Sequence, residues 1–305
     1  MKKLLLSLTL LLSALSWAQA AKTIRVKSTA DFLHALGSNR TIIIEKNCVL
    51  NLSGVLENEE FSDFIGLDSD FDPYAEYRNG KPINYKEYRK GAPVIIGRTN
   101  EFDGFSLWIV NAQNLTIKGE SGAELIIEPR YANVLGFLGC RNITLENLTL
   151  GHTPQGSCHG QVLYFEGVND IKIKNCDLYG CGTYGIEARG CNNLECTGSI
   201  IRDCSYGIMV LHGVSNFTFH TCDFYRNRDY TMLEINNSRA VSFINSRFTQ
   251  NRGDFISGNT QVLFKGCRVY GIGDYRNIFE QITDENCTWS PQDEEVIYNP
   301  NIGPR

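Results

Sequence analysis

The stretch NNLECTGSIIRDCSYGIMVLHGVSNFTFH, residues 192–220, contains one complete structural repeat and the start of the next. Asn193 precedes a run of alternating apolar and polar residues, and Asn216 precedes a similar run 23 residues later. Alternation with period two is typical of a short strand that buries one face. Self-similarity at a period of about 20 to 50 residues indicates stacked repeats. This stretch therefore predicts a solenoid built from strands.

The pattern recurs along most of the chain. One residue immediately before the first buried position marks each repeat, and successive markers are 21 to 28 residues apart: Asn114, Asn142, Asp170, Asn193, Asn216, Ala240 and Gln261. Two more short apolar segments lie in each repeat, which therefore holds three strands and no helix. Each strand is expected to pair with its equivalent on the next coil, at about 4.8 Å. The sequence predicts an all-β parallel β-helix.

The first coil of a solenoid needs a cover, because its sheet edges are otherwise open. Residues 28–37, STADFLHALG, are predicted to form an amphipathic capping helix with Ser28 as its N-cap. We expect the β-helix domain to span residues 21–282, with an excursion from the coils over 55–92. Residues 283–305 are polar and are predicted to form a C-terminal tail.

Residues 1–20, MKKLLLSLTLLLSALSWAQA, are typical of a secretory signal peptide. Two lysines precede an apolar run, and Ala18-Gln19-Ala20 provides a small-residue cleavage site. The apolar run is too short to cross a bilayer comfortably. We therefore expect a periplasmic or extracellular protein with no membrane span after signal removal; an uncleaved anchor is the alternative.

Charge and cysteine content narrow the partners and the covalent framework. The formal net charge is −5 and no basic stripe dominates the chain, which argues against a nucleic-acid partner. The eleven cysteines are an odd number, so at least one thiol is unpaired in a monomer. The repeat distributes the cysteines of residues 176–191 over different columns, which favours packed thiols. A disulfide from Cys181 to Cys158 or Cys204 is the alternative.

The signal, the capping helix and the Asn-x-[Ile/Leu]-x-[Ile/Leu] coils resemble the right-handed parallel β-helix proteins of the pectate-lyase-like superfamily. The resemblance is strongest to exported bacterial proteins of the right-handed β-helix region type, and it covers residues 24–282. It implies a right-handed, single-stranded parallel β-helix. Members are commonly polysaccharide lyases, glycoside hydrolases or esterases, and some are adhesins or phage tailspikes. The partner that it implies is a polysaccharide or oligosaccharide.

Two outward columns on the third strand of each coil form the candidate site. One column contains Trp108, Tyr164, Glu187 and Glu234, and the adjoining column contains Glu166, Arg189, His212 and Asn236. Glu187 and Glu234 are two coils apart, about 9.6 Å by strand spacing. Inverting glycosidases hold their two carboxylates about 6.5–9.5 Å apart. This spacing favours a glycosidase site.

Two catalytic interpretations fit these columns. In a hydrolase, Glu187 and Glu234 are the predicted acid and base. In a lyase, His212 or Tyr164 takes a proton while Arg189 neutralises a uronate. The motifs typical of polygalacturonases, Asn-Thr-Asp, Asp-Asp, Gly-His-Gly and Arg-Ile-Lys, are absent from the sequence.

The remaining positions of the columns are predicted to bind substrate. Trp108 and Tyr164 offer flat rings to sugars, and Glu166 and Asn236 offer polar contacts. The alternatives are a non-catalytic carbohydrate-binding or adhesion protein that uses the same face, and a structural solenoid. In a structural solenoid the charges are only mildly stabilising pairs between neighbouring strands.

Two other clusters have simpler explanations. On the second strand, Tyr179, Arg202 and Tyr225 recur on consecutive coils. We favour a stacked surface ladder, and saccharide binding is the alternative. Residues 68–72 hold three alternating aspartates that suit calcium, but the stretch lacks the glycine and glutamate of an EF-hand loop. A solvated acidic turn is the favoured interpretation. No cofactor is required by the sequence, and calcium is the one candidate.

Overall fold

The computed structural model of this protein describes residues 21–56, 94–153, 160–180, 182, 184–272 and 280–293. Three sheets run along the molecule, and each coil between residues 113 and 258 gives one strand to every sheet. Neighbouring strands pair in parallel, except Ile95–Asn100 and Phe105–Val110, which are antiparallel. The predicted parallel β-helix is therefore confirmed.

Sheet 1 has ten strands: β1 Lys22–Val26, β2 Arg40–Ile44, β6 Gln113–Gly119, β9 Arg141–Glu146, β12 Asn169–Lys174, β15 Asn192–Thr197, β18 Ser215–His220, β21 Arg239–Ile244, β24 Val262–Lys265 and β26 Ile282–Glu285. Sheet 2 has nine: β3 Val49–Asn51, β7 Glu124–Ile127, β10 Thr149–His152, β13 Asp177–Tyr179, β16 Ile200–Arg202, β19 Asp223–Tyr225, β22 Arg247–Thr249, β25 Arg268–Tyr270 and β27 Thr288–Ser290. Sheet 3 has eight: β4 Ile95–Asn100, β5 Phe105–Val110, β8 Leu135–Leu138, β11 Leu163–Glu166, β14 Tyr184–Arg189, β17 Gly207–His212, β20 Leu233–Asn236 and β23 Ile256–Gly258.

Two short helices lie near the amino end of the coils. Helix α1, Thr29–Ala35, begins after Ser28, whose hydroxyl accepts a hydrogen bond from the Asp31 N–H at 3.1 Å. Its residues Phe32 and Leu33 are buried, which confirms the predicted capping helix. Helix α2, Ser53–Leu56, begins where the predicted excursion starts. The rest of that excursion, from residue 57 to 92, lies outside the described residues.

The coils continue beyond residue 282, where the β-helix domain was expected to end. Strand β26 pairs with β24, and β27 pairs with β25, both in parallel. Trp289 packs its ring edge against Phe255 at 5.8 Å between centroids. This last coil was not predicted because its sequence is polar. A terminal coil contacts a neighbouring coil on one side only, so it needs fewer apolar residues.

Aromatic stacks fill the core at the carboxyl end. The Phe243 ring stacks between those of Phe219 and Phe264, with centroids 4.9 and 5.0 Å apart. Phe224 and Phe248 form a second stack at 4.6 Å, and both meet Phe243 edge to face. Because parallel pairing without a register shift places equivalent positions above one another, one inward phenylalanine per coil produces such a stack.

A column of small inward residues contains Cys176, Ser199, Cys222, Ser246 and Cys267, as the repeat predicts. The two serines accept hydrogen bonds from backbone N–H groups on the preceding coil: Cys176 N–H donates to Ser199 Oγ, and Cys222 N–H donates to Ser246 Oγ, both at 3.1 Å. The nine cysteines among the described residues are free thiols. Burial raises the pKa of the Cys176 thiol to about 12, so this group is unreactive at neutral pH. Cys158 and Cys181 lie outside the described residues.

The repeat markers from Asn114 to Ala240 adopt a left-handed backbone. Asn114, Asn142 and Asn193 have φ of 54°, 54° and 59°, a region that asparagine tolerates better than most residues. Their amides also form a ladder: Asn142 Nδ2 donates to Asn114 Oδ1 at 2.8 Å. Ala240 occupies the same corner with φ 52° and has no side chain to continue the ladder.

Replacing Ala240 with asparagine is therefore expected to stabilise the protein by about 1 kcal/mol, because a left-handed backbone costs an ordinary L-residue about 1–2 kcal/mol. The new amide would also extend the ladder from Asn216. Equilibrium unfolding in urea measures the change. Ala240→Val is the control, and it should be less stable than the natural protein because its branched Cβ is disfavoured at positive φ. An asparagine variant no more stable than the valine variant would contradict the assignment.

Candidate functional site

The outer face of sheet 3 brings the two predicted columns together in register. In one row the Cα partners run from Tyr164 to Glu187, Val210 and Glu234, and in the next row from Glu166 to Arg189, His212 and Asn236. Alternation along each strand turns both rows away from the core. The Cα pairing agrees with the register that the repeat predicts, and the roles of these residues stay predictions.

Glu187 is held at the centre of the face by two donors. Its Oε1 accepts a hydrogen bond from Arg189 Nε at 2.6 Å, and its Oε2 accepts one from Gln161 Nε2 at 2.7 Å. Only 6% of Glu187 is exposed. Burial raises the pKa of this carboxyl, Arg189 offsets part of the rise, and the charge of Glu234 adds to it. Glu187 therefore holds its proton to a higher pH than an ordinary glutamate.

Glu234 lies in a more open environment on the same row. Its residue is partly exposed, and its Oε1 accepts a hydrogen bond from Asn236 Nδ2 at 3.2 Å. It is two strand spacings from Glu187, about 9.6 Å along the sheet. The two carboxyl groups thus differ in burial and in hydrogen-bond partners.

The second row is less uniform than the sequence suggests. Arg189 is committed to Glu187, and 27% of its side chain is exposed. His212 is exposed beside it. Glu166 is buried and its Oε2 accepts a hydrogen bond from the Tyr164 hydroxyl at 2.8 Å. Arg189 and His212 are therefore the basic residues of this row that are accessible to solvent.

The expectation that Trp108 and Tyr164 present open rings to sugars is wrong. Both are buried, and with Val110 and Leu138 they form an apolar cluster separate from the main core. The rings of Trp108 and Tyr164 meet edge to face at 5.3 Å, across Gly136. A side chain at Gly136 would collide with the Trp108 ring, so glycine lets the indole lie against the sheet. Outward orientation does not ensure exposure.

Burial also changes the chemistry available to Tyr164. Its pKa is raised well above the usual range, first by burial and then by the charges of Glu166 and Glu187. A neutral, enclosed phenol that already donates to Glu166 is poorly suited to take a proton from a substrate. The predicted role of Tyr164 as a lyase base is not favoured by this geometry.

The exposed aromatic surface near the carboxylates comes instead from tyrosines that the sequence analysis missed. Tyr184 is half-buried, and burial together with Glu234 and Glu187 raises its pKa to about 12. Tyr206 and Tyr230 follow on the next coils, with ring centroids 4.4 Å apart, and 57% of Tyr230 is exposed. Their spacing of 22 and 24 residues matches the repeat, which was the available signal.

The rival cluster on sheet 2 is a buried ion pair. Arg202 Nη2 lies 2.9 Å from Asp177 Oδ2, and its guanidinium carbon lies 4.7 Å above the Tyr179 ring. Arg202 and Asp177 are both almost completely buried. The predicted ladder is therefore present, but much of it lies below the surface and its charged groups are already paired.

Metal and membrane features are limited within the part of the chain that the structure describes. No group of three or more histidine, cysteine, aspartate or glutamate side chains is arranged there to hold a metal ion. No helix among those residues is long and apolar enough to cross a membrane. The calcium candidate at residues 68–72 lies outside the described residues.

Comparisons with known proteins agree with the architecture. A pectate lyase from Paenibacillus sp. 0602 has a TM-score of 0.56 at 10% identity, covering 92% of this chain and 80% of that one. A Bacillus subtilis pectate lyase mutant has a TM-score of 0.42 at 11% identity, covering 95% and 89%. A surface adhesin of Streptococcus pneumoniae has a TM-score of 0.41 at 9% identity, covering 92% and 86%. The likeness to the Paenibacillus protein, at 10% identity, concerns the fold alone.

No curated protein matches the sequence significantly. The model of the right-handed β-helix region family matches residues 133–286, just over half of the chain. These residues include the rows of Glu187 and Arg189 and the aromatic stacks of the core. The protein belongs to the right-handed β-helix family.

Proposed function

We propose that this chain is an exported protein that hydrolyses a carbohydrate polymer on the outer face of sheet 3. Glu187 is the general acid and Glu234 is the general base. The observation that carries the proposal is the difference between the two carboxyl environments, since burial raises the pKa of Glu187 while Glu234 lies in a more open position. Groups whose environments push their pKa values apart are suited to opposite proton-transfer roles.

The proposed reaction uses the spacing of the two groups. Glu187 gives its proton to the glycosidic oxygen as the bond to the anomeric carbon breaks. Glu234 takes a proton from the water that attacks that carbon from the opposite face. A separation of about 6.5–9.5 Å leaves room for the water, and two strand spacings supply about that distance. Arg189 then stabilises the carboxylate that Glu187 becomes, through the hydrogen bond at 2.6 Å.

The state of two of the three lyase candidates favours hydrolysis over elimination; the third, His212, is exposed, and the assay for unsaturated uronates tests it. Arg189 is engaged by Glu187 and is therefore a weak partner for a uronate. Tyr164 is enclosed and already donates to Glu166. The Paenibacillus protein of the same fold is a pectate lyase, which supports a carbohydrate polymer as the partner at the level of the fold. Residues 1–20 support export, since they combine a charged start, an apolar run and a cleavage site.

Non-catalytic carbohydrate binding is the second candidate, and the enclosure of Glu187 favours it. Both oxygens of this carboxylate already accept hydrogen bonds, and only 6% of the residue is exposed. Such a fixed, enclosed group can support a binding surface without reacting, whereas a general acid must reach the bond that breaks. Turnover separates the two functions.

The test is a panel of polysaccharides incubated with the mature protein, with assays for new reducing ends and for unsaturated uronates. We expect new reducing ends to form without unsaturated uronates. Glu187→Gln and Glu234→Gln are each expected to lower kcat about 10²–10⁴-fold, the usual contribution of general acid–base catalysis. In the natural protein, activity should fall as the pH rises through the raised pKa of Glu187, because the acid loses its proton.

Glu195→Gln is the matched control, because Glu195 is an exposed glutamate of sheet 1, on another side of the solenoid. Its activity should equal that of the natural protein. Full turnover in both Glu187→Gln and Glu234→Gln would refute the catalytic assignment. Binding without turnover on the whole panel would leave the second candidate as the function.

A further inference from the structure

Gln161 is a buried polar residue beside Glu187 that the proposed chemistry does not use. Only 6% of it is exposed, and its position is fixed by hydrogen bonds at three places. The backbone N–H donates to Asn133 Oδ1 at 3.1 Å, and the backbone carbonyl accepts from the Val134 N–H at 3.1 Å. The side-chain Nε2 donates to Glu187 Oε2 at 2.7 Å. Where Glu187 is ionised, the amide orientation is set, because a carboxylate only accepts hydrogen bonds and only the NH₂ end of the amide donates them.

This orientation leaves the other end of the amide unsatisfied. Gln161 Oε1 is buried and has no hydrogen-bond partner among the residues that the structure describes. Buried polar atoms are almost always paired in native proteins, since an unpaired one keeps its full desolvation penalty. The unpaired atom is an acceptor, so it requires a donor such as a hydroxyl group. It lies on the side chain that holds the proposed acid, which places the missing donor next to Glu187.

The charges around Gln161 select against an anionic sugar. Three acidic residues, Glu166, Glu187 and Glu234, share this face with two basic ones: Arg189, which is paired with Glu187 at 2.6 Å, and His212 on the next strand. A uronate carboxylate would add another negative charge in a partly desolvated setting without a free cation from Arg189. An uncharged sugar unit brings hydroxyl donors and no such repulsion.

Tyr184 provides an apolar surface at the same place. The Val162 N–H donates to the Tyr184 carbonyl at 3.3 Å, so Tyr184 lies beside the segment that carries Gln161. Burial raises the pKa of its hydroxyl first, and the charges of Glu234 and Glu187 raise it further. At a pKa of about 12 its hydroxyl is neutral at physiological pH and repels no substrate. The ring lies over Gly207, where an added Cβ would approach a Tyr184 ring atom to 2.8 Å. A neutral ring beside hydroxyl acceptors is a suitable surface for the C–H face of a sugar.

We propose that Gln161 determines substrate specificity: a shift of its side chain on binding uncovers Oε1, which is enclosed in the free protein, and this oxygen accepts a hydroxyl hydrogen from an uncharged sugar unit bound beside Glu187. The inference rests on the carbohydrate-binding part of the proposed function and is independent of turnover. Gln161 is a recognition residue here, because it contacts the substrate hydroxyl and takes no part in bond breaking.

The test measures binding of defined oligosaccharides to the mature protein by titration calorimetry. The uncharged probes are oligosaccharides of glucose, mannose, xylose and galactose, and the anionic probes are oligogalacturonate and oligomannuronate. At least one uncharged probe is expected to bind more tightly than both oligouronates. Gln161→Leu should weaken that binding about 10–100-fold, as loss of a buried hydrogen bond does. Gln161→Glu should weaken it further, because it adds a carboxylate.

Gln281→Leu is the matched control. Gln281 Oε1 is also buried without a partner among the described residues, but Gln281 Nε2 donates to Gly258 on a coil beyond the candidate site. This variant should bind within twofold of the natural protein. Monodeoxy analogues of the bound sugar distinguish the loss of a direct hydrogen bond from a structural effect of Gln161→Leu. One analogue should lose affinity with the natural protein but show no further loss with Gln161→Leu.

The outcomes distinguish this inference from the proposed hydrolysis. Tighter binding of oligouronates, no binding of any probe, or unchanged affinity in Gln161→Leu each overturns the inference, whatever the turnover. The inference is also overturned if the losses of binding free energy from Gln161→Leu and from the deoxy analogue are additive. Additive losses mean that Gln161 does not contact the missing hydroxyl and that an internal water satisfies its amide. Coupled losses without turnover on any polymer refute the hydrolysis and support the recognition role of Gln161.

Discussion

Phe243→Ala is expected to lower the free energy of unfolding by about 3–5 kcal/mol, the range for truncating a buried aromatic side chain. The Phe243 ring stacks on Phe219 and Phe264 and meets Phe224 and Phe248 edge to face. Truncation removes contacts to all four rings at once. The cavity cannot close easily, because parallel strands on both sides fix the backbone.

Equilibrium unfolding in urea, followed by circular dichroism, measures the loss. Phe102→Ala is the control, since 87% of Phe102 is exposed and its truncation should change stability by less than about 0.5 kcal/mol. Hydrogen exchange adds a spatial readout. Coils of a solenoid interact mainly with their neighbours, so protection should fall most in β18, β21 and β24. Equal stability of the Phe243 and Phe102 variants would contradict the stacked core.

The second large effect is expected for Asp177→Ala, which should lower the free energy of unfolding by about 3–5 kcal/mol. The substitution leaves the buried guanidinium of Arg202 without its main partner. Arg202 donates to both Asp177 oxygens, from Nε at 2.9 and 3.2 Å and from Nη2 at 2.9 Å. Its remaining carboxylate partner is Asp203, at 2.8 Å from Nη1. Burial raises the pKa of Asp177 even beside this arginine, which indicates how strongly the pair is desolvated.

Asp223→Ala is the matched control for this pair. Asp223 occupies the equivalent strand position two coils later and contacts Arg247 at 2.9 Å, but it is more exposed, with 34% of its side chain accessible. Its removal should change stability by no more than about 1 kcal/mol. The double variant Asp177→Leu/Arg202→Met should recover most of the loss, since apolar replacement of a whole buried pair is often neutral. Equal losses in the two single variants would contradict the difference in burial.

The third-strand columns illustrate how far a repeat can predict a site. Strict alternation and constant register determine that Glu187, Glu234 and Arg189 share an outer face, and the Cα pairing agrees. Register is local information, because each coil repeats the same spacing. Exposure is not local, since it depends on what packs over the face. Trp108 and Tyr164 were therefore placed on the correct face and expected at the wrong depth.

Gln161 and Tyr184 could not be found from the repeat in the same way. Gln161 lies just before β11, outside the alternating positions, and its importance comes from a hydrogen bond to Glu187 across 26 residues. Tyr184 matters because its ring lies over Gly207 on the next coil, near two carboxylates. A spacing pattern records which column a residue occupies, but it does not record where a long side chain ends.

The sequence by itself determined the architecture of this protein: three strands per coil, inward phenylalanine and small-residue columns, left-handed corners at the asparagine markers, and an amphipathic helix over the first coil. These features follow from side-chain period and backbone preference, which are properties of short segments. Only the tertiary structure decided which outward groups are enclosed, that Glu187 is desolvated with a raised pKa, and that an amide acceptor beside it is unpaired. Burial and desolvation arise from the packing of distant segments against one another, so no local pattern contains them.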